Sequence, residues 1–349
     1  MKKTIYTTLL ALTFGIISAQ TNVGTTSASF LEIGAGARSL AMGGAYVSLA
    51  NDVSALYWNP AGIASVVRPS IQLYHAPWLV DTDYYHGGSV VPMGRLGTLG
   101  FSYTAITMKE MLVRTVQNPE PDEYGEKFDA GSLAMGMAYA KNLTDQFSFG
   151  FQTKFIQEKI WQMQAKGFAM DIGTLFVTDR GIRIGMSVSN FGGKLGMDGI
   201  NSAVDYDIDE TIFGNNDRID AHLDAAKWPL PLMFRFGVSK DFILPANQKV
   251  ILSVDGIHPN NNVERINAGI EYGVSDILFL RAGRSFLVIG EQSLTESEIK
   301  TSREQQEGTT LGLGINYKIP RGPKLRIDYA VIPVGVFDSI TGFSIDISF

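Results

Sequence analysis

Alternation with a period of two, running from about residue 70 to the last residue, constrains this chain more than any other feature. Phe147, Phe149, Phe151 and Phe155 fall on one side of an extended segment, and Ser148, Gly150, Gln152 and Lys154 fall on the other. Leu325, Ile327, Tyr329 and Val331 oppose Arg326, Asp328 and Ala330 in the same way. Successive side chains of a strand point to opposite faces, so one face is large and apolar while the other is small or polar. Fourteen such runs occur, at 70–76, 83–92, 97–107, 128–141, 146–159, 165–177, 181–190, 230–241, 247–257, 263–274, 276–287, 308–318, 323–332 and 338–349. Most exceed the ~5–6 residues of a globular strand and reach the ~9–11 that a tilted strand needs to cross a bilayer.

The connections alternate too. Even-numbered ones are tight, such as 142–145, 178–180 and Ser275, whereas the odd-numbered ones include the long segments 108–127, 191–229 and 288–307. Tight turns at one end and long loops at the other are the pattern of an outer-membrane barrel. The predicted fold is therefore all-β, a 14-stranded antiparallel transmembrane β-barrel over residues 68–349. Lipid offers no hydrogen-bond partners, so only a closed sheet satisfies every backbone group there. A soluble β-sandwich would also alternate, but its strands are shorter and its connections lack this asymmetry. Fourteen strands enclose more space than wall side chains fill, so another segment is expected inside.

Composition narrows the function. The formal charge of −6 lacks the basic footprint of a nucleic-acid binder. With no Cys, disulfides, thiolate metal sites and Cys nucleophiles are excluded. Neither Gly-x-Ser-x-Gly nor His-Glu-x-x-His occurs, and no enzyme activity, cofactor or metal is expected. His75 and His86 fall near the outer ends of the first two strands, where a paired hydrolase histidine would sit; polar rim groups are the plainer reading. Asp205, Asp207, Asp209 and Glu210 lack the glycine turn of a calcium loop and read as solvated. Lys154, Arg235, Asp255, Glu271, Asp328 and Asp346 fall on predicted lumen faces, with Lys109 and Arg281 on such faces or near strand ends. Charges are tolerated inside a wet barrel and costly on its lipid face.

Residues 1–19 read as a secretory signal: a basic Met1-Lys2-Lys3, a short apolar stretch from Thr8 to Ile17, and small residues at Ser18-Ala19. Residues 20–67 do not alternate and are rich in Gly and Ala. Ala37–Leu40 and Tyr46–Ala50 suggest short helical turns, Asn51-Asp52 a cap or turn, and Trp58-Asn59-Pro60-Ala61-Gly62 a turn. The run Gly36-Ala37-Arg38, Met42-Gly43-Gly44-Ala45, Asn51-Asp52 and Trp58-Asn59-Pro60-Ala61-Gly62 resembles the opening of the PorV/PorQ family of outer-membrane proteins. That family is similar to the FadL long-chain fatty-acid transporters. The resemblance implies a bacterial outer-membrane protein whose N-terminal segment plugs the lumen, with Arg38, Asn51, Asp52, Asn59, Pro60 and Ala61 as plug residues. It implies transport of hydrophobic small molecules or, alternatively, a type IX secretion component that binds exported protein cargo or the translocon. Gly34-Ala35-Gly36 before Ala37-Arg38, and Gly62 after Ala61, depart from the secretion-linked members and favour transport. Alternating apolar residues up to Phe349 look like the signal read by the barrel-assembly machinery. Outer-membrane lipid is the remaining expected partner.

Overall fold

The fold is described from a computed structural model, over residues 24–207, 211, 219–288, 308–335 and 337–349. The expected export signal, Asp209 and Glu210 lie outside the described residues. Fourteen long strands form the wall: β1 (Ser70–Pro77), β2 (Thr82–Pro92), β3 (Thr98–Met108), β4 (Ala130–Asn142), β5 (Phe147–Ile160), β6 (Met163–Val177), β7 (Ile182–Gly192), β8 (Met233–Leu244), β9 (Gln248–Pro259), β10 (Glu264–Val274), β11 (Leu278–Val288), β12 (Thr309–Lys318), β13 (Lys324–Val334) and β14 (Phe337–Ser348). Every consecutive pair is antiparallel, and β1 pairs with β14 from Ser70 opposite Ser348 to His75 opposite Phe343. The sheet is thus a closed 14-stranded antiparallel β-barrel.

Each alternating run coincides with a strand. On β5 the phenylalanines point outward, while Ser148, Gly150 and Gln152 are buried on the inner face. Phe234 and Phe236 of β8 are exposed on the outside, and Arg235 between them is buried. At the tight-turn end, Ala246-Asn247 and Ser275-Asp276 both have positive φ, between 53° and 59°. Paired left-handed residues give a turn whose twist matches that of the flanking strands. The chain's last amide closes the same end, Phe349 N donating to Pro69 O.

Residues before β1 run from the loop end to the turn end. Ser27 N donates to Pro229 O and Asn261 Nδ2 to Thr26 Oγ1, both beside connections of the loop end. The segment holds two short helices, α1 (Ala37–Ala41) and α2 (Ala55–Trp58), and 3₁₀ turns at Ser29–Glu32 and Pro60–Ser65. Trp58–Gly62 was expected as a plain turn; Pro60 at the first helical position, capped by Asn59, instead starts a 3₁₀ helix over Pro60–Ser65. The segment's apolar residues, among them Met42, Tyr46, Leu56, Trp58 and Ile63, form the largest buried cluster.

Candidate functional site in the barrel lumen

The segment packs backbone-close against the wall, and the wall's inward residues are shaped for it. A Cβ on Gly150 would stand 2.6 Å from Ala61 N, one on Gly88 2.7 Å from Leu56 Cδ1, and one on Gly269 2.5 Å from Met42 O. Glycine is what these strand positions can hold at such an approach.

Wall side chains also satisfy the segment's backbone, as buried peptide groups require. Ser344 Oγ accepts from Ala37 N at 2.9 Å, Thr310 Oγ1 donates to Ala41 O at 3.0 Å, and Ser187 Oγ donates to Trp58 O at 2.9 Å. Asp255 Oδ2 accepts from Val47 N at 2.7 Å. Asn59 ties the segment to the wall: its Nδ2 donates to Val47 O at 2.9 Å within the segment and to Thr174 O of β6 at 3.0 Å. Its Oδ1 accepts from Ala61 N, which fixes the start of the Pro60–Ser65 turn.

A buried ion network joins the two bodies. Arg38 of α1 grips Glu271 of β10 with two parallel hydrogen bonds, Nε to Oε2 and Nη2 to Oε1, each 2.8 Å. That forked geometry matches a guanidinium to a carboxylate. Arg38 Nη1 reaches Asn51 Oδ1 at 3.1 Å and Asp52 Oδ2 at 3.2 Å, and Tyr46 OH donates to Asp52 Oδ2 at 2.6 Å. On the wall side, Arg281 Nε donates to Glu271 at 2.6 Å and its Nη1 to Asp328 at 2.8 Å. Arg326 Nε lies 2.8 Å from Asp328 Oδ2. Sequence reasoning selected Arg38, Asn51, Asp52, Glu271, Arg281 and Asp328 but passed over Arg326 and Tyr46. The alternation of β13 places Arg326 inward, so that signal was available; nothing local marks Tyr46.

Of the other expected lumen residues, Asp346 borders this network as the register partner of Arg326, and the rest stand apart from it. Lys154 Nζ pairs with Asp171 Oδ2 at 2.8 Å. Arg235 is 2% exposed, donates to Ser189 Oγ at 2.8 Å and lies over the rings of Tyr57 and Trp58. Asp346 accepts from Gln72 Nε2 at 2.7 Å. Lys109 lies beyond the end of β3 and is exposed. His75 and His86 do not meet. Tyr74 is the register partner of His86 and Tyr85 that of His75, so the two histidines face opposite sides of the wall. His86 is buried against Thr104, whereas His75 is half-exposed against Asp83. Tyr84 also points inward and donates to Ile33 O at 2.9 Å.

Two cavities flank α1. Arg38 faces a charged one of about 330 Å³ at the turn end, which Asp52, Arg326 and Asp346 also line. Leu40, Gly43 and Gly44 face another of about 230 Å³ toward the loop end, lined by Trp58, Met233, Ile257, Ile332 and Arg235. Leu195, of the connection after β7, packs with Phe30 and Leu31, and the tops of the strands line the cavity.

The sequence matches the model of an uncharacterised protein family, UPF0164, over residues 10–194, more than half of the chain. The chain belongs to that family. No curated protein matches this UPF0164 member in sequence. Among solved structures it resembles the Pseudomonas putida toluene transporter TodX, at 13% identity and a TM-score of 0.54, covering 90% of this chain and 96% of that one. The Ralstonia pickettii toluene transporter TbuX is similar at 14% identity and a TM-score of 0.53, with 90% and 97% covered. The CymD monoaromatic hydrocarbon channel follows at 11% identity and 0.52, with 90% and 98% covered. At these identities the likeness is one of fold, and it extends over nearly the whole wall.

Proposed function

We propose that this UPF0164 protein is a bacterial outer-membrane channel for hydrophobic small molecules, non-enzymatic, with residues 20–67 as its plug. The observation that carries the reading is a closed barrel with an apolar exterior and, on the loop-end side of the segment inside it, a cavity where Leu40, Trp58, Ile257 and Ile332 meet Glu32, Arg235 and Arg265. A hydrophobic molecule would settle against Leu40, Trp58 and Ile257 and pass when the Arg38 network rearranges. The toluene transporters of the same fold support the substrate class by analogy. Phe349 keeps its proposed role as the assembly signal.

The test is uptake of toluene by cells carrying the protein, the protein lacking residues 24–66, or neither. The full chain is expected to speed uptake over cells without it, and the shortened chain to admit small ions as well, seen as raised conductance in planar bilayers. Equal uptake with and without the protein would overturn the channel reading. Accumulation of exported proteins in the periplasm on deletion would instead favour the secretion role that the PorV/PorQ resemblance implies.

A further inference from the structure

We infer that the outer wall carries a binding site for the phosphorylated headgroup of a lipid, in a recess lined by Lys166, Lys194 and Lys227. This rests on the membrane placement proposed above, but not on transport.

The recess sits where the apolar exterior ends. On β6, Lys166 and Phe168 face outward, while Ala165 and Ala169 are buried inside. Phe168, 71% exposed, stands opposite Phe155 of β5 with ring centroids 5.5 Å apart. The next outward row toward the loop end pairs Lys166 with Gln157, and the one beyond pairs Gln164 with Lys159. The wall therefore changes from phenyl rings to ammonium and amide groups within one row. Phe191 of β7, 63% exposed, flanks Phe168 through its register partner Met170.

The connection after β7 supplies the other two lysines. An isolated antiparallel bridge between Leu195 and Trp228 turns Leu195 into the lumen, where it is 2% exposed. By alternation its neighbours Lys194 and Gly196 face the other way. Gly196 lets the Lys227 stem lie against the strand, since a Cβ there would come within 2.8 Å of Lys227 Cγ. With Lys166 these groups enclose a recess of about 550 Å³, lined also by His222, Asp198 and Asp224. Among the described residues, none of the three ammonium groups forms a salt bridge.

Three exposed ammonium groups on one recess outnumber its two carboxylates, Asp198 and Asp224, and favour an oxyanion, and lysine binds phosphate as a point charge. Exposed ion pairs alone are weak, and a lone charge contact would not hold a ligand here. Phe168 and Phe191 lie directly beneath and offer apolar surface to acyl chains. Basic groups plus a buried chain are the two signals that together give stable attachment to a membrane lipid.

The experiment places the full chain in phosphatidylcholine nanodiscs with and without phosphatidic acid and counts retained lipids by native mass spectrometry. The wild-type protein is expected to retain phosphatidic acid preferentially. The triple variant Lys166→Gln/Lys194→Gln/Lys227→Gln should lose that preference by about tenfold or more, from a per-lysine contribution near the surface of about fivefold. Lys109→Gln/Lys127→Gln, on a different loop, should leave it unchanged. Lys194→Gln alone, in a connection rather than the wall, should give a partial loss even if the triple variant fails to assemble. Equal losses in the Lys109/Lys127 control, or no preference in the wild type, would overturn the site. Complete displacement of the lipid by inorganic phosphate would overturn the lipid assignment and leave a soluble-anion site. A wild-type protein that shows no preference for phosphatidic acid yet speeds toluene uptake would sink this inference and spare the channel reading; preferential retention without toluene uptake would do the reverse.

Discussion

Glu271 is the residue on which the lumen's charge arrangement turns. It accepts from Arg38 of the inner segment and Arg281 of the wall, with Arg326 3.8 Å away. Removing one member of a buried ion pair costs about 3–5 kcal/mol because its partner is left uncompensated. Glu271→Met leaves two guanidinium groups without this acceptor, whereas Arg38→Met leaves Glu271 still bonded to Arg281. The expected order in urea unfolding in detergent, followed by tryptophan fluorescence, is wild type, then Arg38→Met, then Glu271→Met as least stable. A reversed order would mean that Arg38 contributes more than its carboxylate partner does. The sequence identified the acids and most of the bases of this network. It did not identify the pairs: Glu271 and Arg281 face each other across one hairpin, but Arg38 reaches them from the inner segment and Asp328 from two strands away, and neither approach leaves a mark in the local sequence.

At the scale of elements, the fit between segment and wall rests on small residues. Gly150→Val places bulk where Ala61 N already sits, and overpacking of this kind costs about 1–3 kcal/mol. The segment should yield before the wall does, so the variant should remain a folded barrel yet become cleavable by protease within residues 55–66. Gly193→Ala, where a Cβ meets nothing within 4 Å, should match the wild type in both respects. All fourteen strands were legible in the sequence to within a few residues, because a two-faced wall imprints one period on every strand and a single slip would expose the wrong face. The segment before β1 carries no such period. Its turns follow from contacts with many strands, so Trp58–Gly62 read as a plain turn, without the 3₁₀ helix over Pro60–Ser65. The two histidines were misplaced for a related reason: proximity along a hairpin says nothing about which face each one takes until the register is fixed.

For the molecule as a whole, exposure of large apolar groups is the rule on the outside, from Leu73 of β1 to Phe343 of β14. A hydrocarbon environment makes that surface stable, and the cost of a charge there depends on depth. Phe151→Arg, near the middle of β5, is expected to destabilise the barrel by about 2–4 kcal/mol, and Ile243→Arg, beside a tight turn, by about 0–1 kcal/mol, in equilibrium unfolding from lipid vesicles. Equal costs at both positions would argue against a membrane around this wall.

Pairing of Ser70 with Ser348 also carries a consequence for how such a molecule is made. The seam joins the first staves to the last, so the cask is sealed only when nearly the entire polypeptide is in place. Its contents come first in the chain and touch staves all round the circumference, from Gly88 through Gly150 and Asp255 to Ser344. A long-range seam of this kind makes closure intrinsically slow. An occupant supplied afterwards would meet a finished vessel with its mouth partly covered.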